Sequence, residues 1–125
     1  MTAADLWRFL PIGYLITVLI ETPILIVGLS PRHSLQRKLL CGIWLNACSY
    51  PIVVLVLPLA LAGFSRGTYI AVAETCAPVS ECALFWAAFG SRDELGQRSI
   101  WRDFGAIIVA NLASFLIGEM ITPYL

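Results

Sequence analysis

The sequence predicts an all-α integral membrane protein of four transmembrane helices, and three observations predict it. Of the 125 residues, 59% are apolar, and the mean hydropathy is +0.84. Only 13% are charged, against about 25% in a soluble domain. The apolar residues gather into four runs, each near the ~20 residues a helix needs to cross a hydrocarbon core about 30 Å thick. This composition excludes disorder, and eight basic residues balanced by eight acidic ones exclude the basic footprint of a nucleic-acid-binding protein. The lipid bilayer is the first expected partner.

The spans are expected at 9–29, 39–63, 68–89 and 103–123. The runs are too long for membrane strands, and none alternates strictly between apolar and polar residues, so helices are expected. The first run is read as a retained helix: it is too long for a signal segment, contains Glu21 and Pro23, and lacks a small-residue cleavage site. The first connection holds Arg32, His33, Arg37 and Lys38, and the third holds Arg92, Arg98 and Arg102, whereas the opposite side has only Arg8 and Arg66. By the positive-inside rule the first and third connections face the cytoplasm and both termini face outward. Trp7, Tyr69, Trp101 and Tyr124 suit the interfacial aromatic belts, and a bacterial inner (plasma) membrane is the expected location. Ser91, Arg92, Asp93 and Glu94 have capping-box spacing for a short helix in the third connection, with a solvated loop as the equal alternative.

The polar residues inside the runs suggest an internal repeat. Glu21 and Glu81 are related by an offset of 60 residues that also carries Arg32 onto Arg92. Asn46, Ser49 and Tyr50 are related to Asn111, Ser114 and Phe115 by an offset of 65 that carries Arg37 onto Arg102. Each half, 1–63 and 64–125 of a single membrane domain, then reads as a helical hairpin of the same orientation, implying parallel repeats about an axis along the membrane normal. A compact four-helix bundle is expected. At 1.5 Å per residue, Glu21, Glu81, Asn46 and Asn111 fall roughly 10 to 14 Å from the basic ends of their helices, in one layer near mid-membrane. Ser49 and Ser114 fall one turn further from those ends, with Glu74 and Glu119 nearer the outer side. Helical spacing puts one polar stripe on each span. Gly13, Gly28, Gly42, Gly105 and Gly118 are expected at close helix approaches.

A carboxylate in hydrocarbon costs about 2.5 to 3.5 kcal/mol on insertion scales. Glu21, Glu74, Glu81 and Glu119 must therefore be protonated, paired or hydrated, and only basic chains snorkelling from the helix ends could pair with them. Two readings follow. In the first, Glu21, Glu81, Asn46, Asn111, Glu74, Glu119, Ser49 and Ser114 line a proton or cation pathway, because carboxylate and amide oxygens both suit hard cations and relay protons. Pro23 and Pro78 each remove a helical hydrogen bond beside that layer. In the second, the protein is a non-catalytic accessory or assembly subunit of a larger membrane complex, and the same residues are hydrogen-bonded packing contacts. Pro51 and Pro58 are expected as kinks. Arg32, Arg37, Lys38, Arg92, Arg98 and Arg102 are topology determinants that could also meet anionic lipid headgroups.

Other chemistry lacks parts. Cys41, Cys48, Cys76 and Cys82 have no CxxC spacing and fall within the spans. His33 is the single histidine, too few for bis-histidine haem or a histidine-based zinc site, and a Ser-His-Asp triad is not expected. No phosphate-binding glycine loop is present. The sequence thus implies neither a cofactor nor an enzyme, and its expected assembly is a homo-oligomer or a larger membrane complex. Size, span count and the first-span glutamate resemble those of small four-span multidrug exporters, but the residues around Glu21 depart from that pattern, and those exporters lack the paired Glu and Asn.

Overall fold

The computed structural model describes residues 3–31, 33–89 and 98–121. Its elements are α1 (Ala3–Gly28), α2 (Leu35–Pro51), a π-helical segment (Ile52–Val56), α3 (Leu57–Ala60), α4 (Arg66–Phe89) and α5 (Arg98–Ile121), with no strand among the described residues. Four stretches are long and apolar enough to cross a membrane: Trp7–Gly28, Leu35–Ala60, Arg66–Phe89 and Ile100–Ile121. This is the framework of a multi-pass membrane protein.

Capping residues set the helix starts. Ser34 is extended (φ −69°, ψ 160°), and its hydroxyl accepts from the Arg37 backbone N–H at 3.1 Å, so α2 begins at Leu35. Arg37 and Lys38 thus lie in the first turn of α2 rather than in the connection where the sequence put them. Ser65 plays the same part for α4, accepting from the Thr68 N–H at 3.2 Å. Helix α5 starts at Arg98, which places Arg102 inside the helix as well. The capping-box residues Ser91, Arg92, Asp93 and Glu94 lie outside the described residues, as do Arg32 and Tyr124.

Helix α1 stops at Gly28, shortly before Pro31, whose ring disfavours helical geometry in the preceding residue. Its last carbonyls, the negative end of the helix dipole, are met by cations from two other helices. Lys38 Nζ donates to the Ile26 carbonyl at 3.0 Å, and Arg102 Nε donates to that of Gly28 at 3.0 Å. We call this the basic end of the molecule.

Helix α1 packs mainly on α2 and α5, and α4 packs on the same two helices. The apolar core lies toward the basic end and draws on all four spans through Leu25, Leu29, Cys41, Leu45, Phe85, Ile107 and Ala110. Large apolar side chains such as Leu19, Val27 and Val79 are 62% to 77% exposed, as lipid-facing positions would be. Three of the five singled-out glycines are at close approaches. A Cβ at Gly13 would overlap the Tyr50 hydroxyl, one at Gly42 would overlap the Thr22 hydroxyl, and one at Gly28 would fall 2.8 Å from the Ala106 Cβ. Gly105 and Gly118 depart from expectation: a Cβ there meets nothing within 4 Å among the described residues.

Two pairs of segments share a pattern of exposure. Positions 11–27 and 71–87 pass through buried, half-buried and exposed in the same order at every position. Positions 41–50 and 106–115 agree at eight of ten.

The second span changes register at its prolines. The Leu57 N–H reaches back five residues to the Ile52 carbonyl, the signature of a π turn. Continued by one residue, that pattern would bond Val53 to residue 58, but Pro58 has no N–H to give. The Tyr69 hydroxyl of α4 fills the gap, donating to the Val53 carbonyl at 2.9 Å. What the sequence offers as simple kinks is a bulge locked to the neighbouring helix.

Candidate functional site: a polar layer below a cavity

Each of the four long helices contributes to one polar layer: buried Glu21 from α1, Asn46 and Ser49 from α2, Glu81 from α4, and Asn111 from α5, with half-buried Ser114 beside it on α5. The helices place them there because each side chain lies on the stripe that its helix turns toward its neighbours. Glu21 and Glu81 are each only 1% exposed. Their contacts are reciprocal: the Ser114 hydroxyl donates to Glu21 Oε2 at 2.7 Å, and the Ser49 hydroxyl donates to Glu81 Oε2 at 3.2 Å. Asn46 adjoins Glu21, and Asn111 adjoins Glu81. Both amide nitrogens are tied one turn back along their own helices, Asn46 Nδ2 to the Gly42 carbonyl at 2.8 Å and Asn111 Nδ2 to that of Ile107 at 2.9 Å. Each amide spends one of its two N–H donors this way, which leaves the other beside the neighbouring carboxylate and the Oδ1 as an acceptor for the layer.

A cavity of about 210 Å³ runs from this layer toward the end of the molecule opposite the basic end. Seven of the eight residues singled out as a pathway line it; Glu81 does not. Its walls are aromatic at Phe9, Tyr50, Tyr69 and Phe115. On the other side of the layer lies the apolar core, with Leu25 and Phe85 one helical turn beyond Glu21 and Glu81, and no member of this core cluster lines the cavity. The polar space is therefore closed toward the basic end.

Glu21 is the chemically exposed member of the pair. Its Oε1 is buried and has no hydrogen-bond partner among the described residues, although the residue lines the cavity. Glu74 stands half-buried on the cavity wall. Glu119, at the far end, is held by Arg66, whose Nη2 lies 2.8 and 2.7 Å from its two carboxylate oxygens. The pair is 69% and 47% exposed and realises the snorkelling contact open to a basic chain at a helix end.

A second polar cluster, at the basic end, was not legible as one in the sequence. Asp103 is fully buried in α5 and accepts from the Ser30 N–H at 2.7 Å and from the Ser30 hydroxyl at 3.3 Å. His33 Nε2 lies 2.9 Å from Asp103 Oδ2, and His33 Nδ1 lies 3.2 Å from an Arg37 guanidinium nitrogen. Arginine only donates, so Nδ1 accepts and Nε2 carries the hydrogen to Asp103. Ser30, His33 and Asp103 do meet, but the serine hydroxyl bonds the aspartate rather than the imidazole. That order activates no nucleophile. Arg37 also stacks over Phe89, its guanidinium carbon 4.8 Å from the ring centre. Of the topology residues, Arg37, Lys38 and Arg102 therefore have partners inside the fold, Arg98 opens α5, and Arg32 and Arg92 lie outside the described residues.

The four cysteines are free thiols. Among the described residues, no group of three or more His, Cys, Asp or Glu side chains is placed to hold a metal ion. In comparison with known proteins, no family model, no curated protein and no solved structure matches the chain.

Proposed function

We propose that the protein conducts protons or cations, or couples their movement to transport, through the polar interior of a four-helix bundle in a bacterial inner membrane. The cavity ending on the unpartnered oxygen of Glu21 is the observation that carries this reading. A packing contact needs no cavity, whereas a conduction path needs both space for water and a group that exchanges its partner.

The bundle is read as two tandem hairpins with both termini outside. The matched exposure of 11–27 with 71–87 supports the repeat, as do the reciprocal Ser114–Glu21 and Ser49–Glu81 bonds. On this orientation the cavity opens outward and the apolar core closes the cytoplasmic side, so passage requires α1, α2, α4 and α5 to part near Leu25, Leu45 and Phe85.

In liposomes containing the purified protein, a proton or cation gradient is expected to dissipate faster than in empty vesicles, and Glu21→Gln is expected to abolish the difference. Vesicles no leakier than empty ones across pH and ions would refute the proposal. The closed core favours one alternative: an accessory subunit of a larger complex that uses the layer as packing contacts. Purification in mild detergent separates the two readings, since a stable monomer or homo-oligomer with nothing attached counts against the accessory role.

A further inference from the structure

Glu21 and Glu81 occupy corresponding places, yet their surroundings differ in one respect that matters for ligand chemistry. Glu81 does not line the cavity and accepts from Ser49, with Asn111 beside it. Glu21 lines the cavity, is 99% buried as a residue (1% exposed), and keeps an oxygen with no partner. Both serine hydroxyls in this layer go to carboxylates, and each amide nitrogen spends one of its two hydrogens on a backbone carbonyl and has the other beside a carboxylate, Asn46 at Glu21 and Asn111 at Glu81. What remains is acceptors, namely Glu21 Oε1 and the Oδ1 atoms of Asn46 and Asn111. A buried layer with surplus acceptors is completed by a cation or by an N–H donor.

We propose that Glu21, and not Glu81, is the exchangeable carboxylate of a monovalent-cation site on the cavity floor, with the side-chain oxygens of Asn46 and Asn111 as its neutral acceptors. One unpartnered carboxylate matches one positive charge. Divalent ions take six or more oxygens, commonly with several carboxylates among them, and no three-member acidic or histidine cluster is present among the described residues. An alkali ion and an ammonium group share the required chemistry, a unit positive charge that brings no competing acceptor. The groups facing Glu21 are Glu74 and Glu81 on α4, Asn46 on α2, and Ser114 and Asn111 on α5, with the Arg66–Glu119 pair at the cavity's far end. None of the described groups in the layer is cationic, so the charge of an ionised Glu21 is left for the ligand to balance. The site deepens the conduction reading and rests on it only for the cation's route of entry.

The test is binding, read separately from flux. Detergent-solubilised full-length protein is heated in sodium, potassium, methylammonium or choline chloride at fixed ionic strength. One of the first three is expected to raise the unfolding temperature above that in choline, at concentrations that fall as pH rises, by up to about tenfold per pH unit where proton and cation exclude each other. Sodium or potassium as the active salt identifies an alkali site; methylammonium identifies an ammonium site. Glu21→Gln is expected to remove the stabilisation, and Glu81→Gln to retain it. Wild-type protein gives an independent measurement: dicyclohexylcarbodiimide is expected to modify Glu21, located by mass spectrometry, and the stabilising salt to slow that reaction several-fold. Equal unfolding temperatures in all four salts, loss of the effect in Glu81→Gln but not Glu21→Gln, or carbodiimide labelling indifferent to salt would each overturn the site. Salt-dependent binding without flux sinks the conduction proposal and leaves the site standing, whereas proton flux without any salt effect does the reverse.

Discussion

The side chains of Glu21 and Asp103 are both buried carboxyls, but their environments give them opposite characters. Asp103 accepts from the Ser30 N–H, the Ser30 hydroxyl and His33, so the turn after α1 is fastened to α5 by a satisfied network. Asp103→Ala is expected to strand those donors and to cost about 1 to 3 kcal/mol, measured as lost resistance to unfolding in detergent. Asp103→Asn retains acceptors and is expected to cost less. Glu21 is incompletely satisfied, and its substitution by Gln is expected to spare stability while removing activity. Size tells a similar story at the glycines. Gly42→Leu would drive a side chain into Thr22 and is expected to destabilise by roughly 1 to 3 kcal/mol, whereas Gly105→Ala and Gly118→Ala have room and are expected to change stability by less than about 1 kcal/mol. The sequence picks out glycine as a candidate for close approach but carries no record of which neighbour faces it, and that is why Gly105 and Gly118 were misread.

At the scale of the helices, hydropathy and length were sufficient to find all four spans, because the bilayer thickness fixes how many apolar residues a crossing needs. The starts of α2 and α5 were not found, since Arg37, Lys38 and Arg102 read as loop charges until their long side chains are seen capping α1 or stacking on Phe89. The π segment was equally hidden. Pro51 and Pro58 are visible in the sequence, but the partner that makes the bulge tolerable, Tyr69, stands on another helix. Tyr69→Phe is expected to leave the Val53 carbonyl unmet and to cost about 1 to 3 kcal/mol, with faster hydrogen exchange confined to the second span and α4. Should that variant match wild type in both measurements, the bulge does not depend on the tyrosine.

For the molecule as a whole, the polar layer was legible because its members are rare: a Glu, Asn or Ser in an apolar helix stands out, and similar distances from the basic helix ends bring them to one depth. What was not legible is the difference between Glu21 and Glu81, the positions that the proposed repeat would relate. Offsets pair Glu21 with Glu81, but only packing puts the first on a cavity and leaves the second off it. The proposed orientation has its own check. Fused at the C-terminus, alkaline phosphatase is expected to be active in bacterial cells and a green fluorescent protein dark, and the opposite pair of results would invert the topology. On the proposed function, the cavity and Glu21 form the working part of a cation or proton path. Gradient dissipation in liposomes bearing wild-type or Glu21→Gln protein at matched density tests it most directly. The account predicts a rate at least about tenfold lower for the variant, the effect of about 1.4 kcal/mol on a barrier. Equal rates for the two proteins would contradict it.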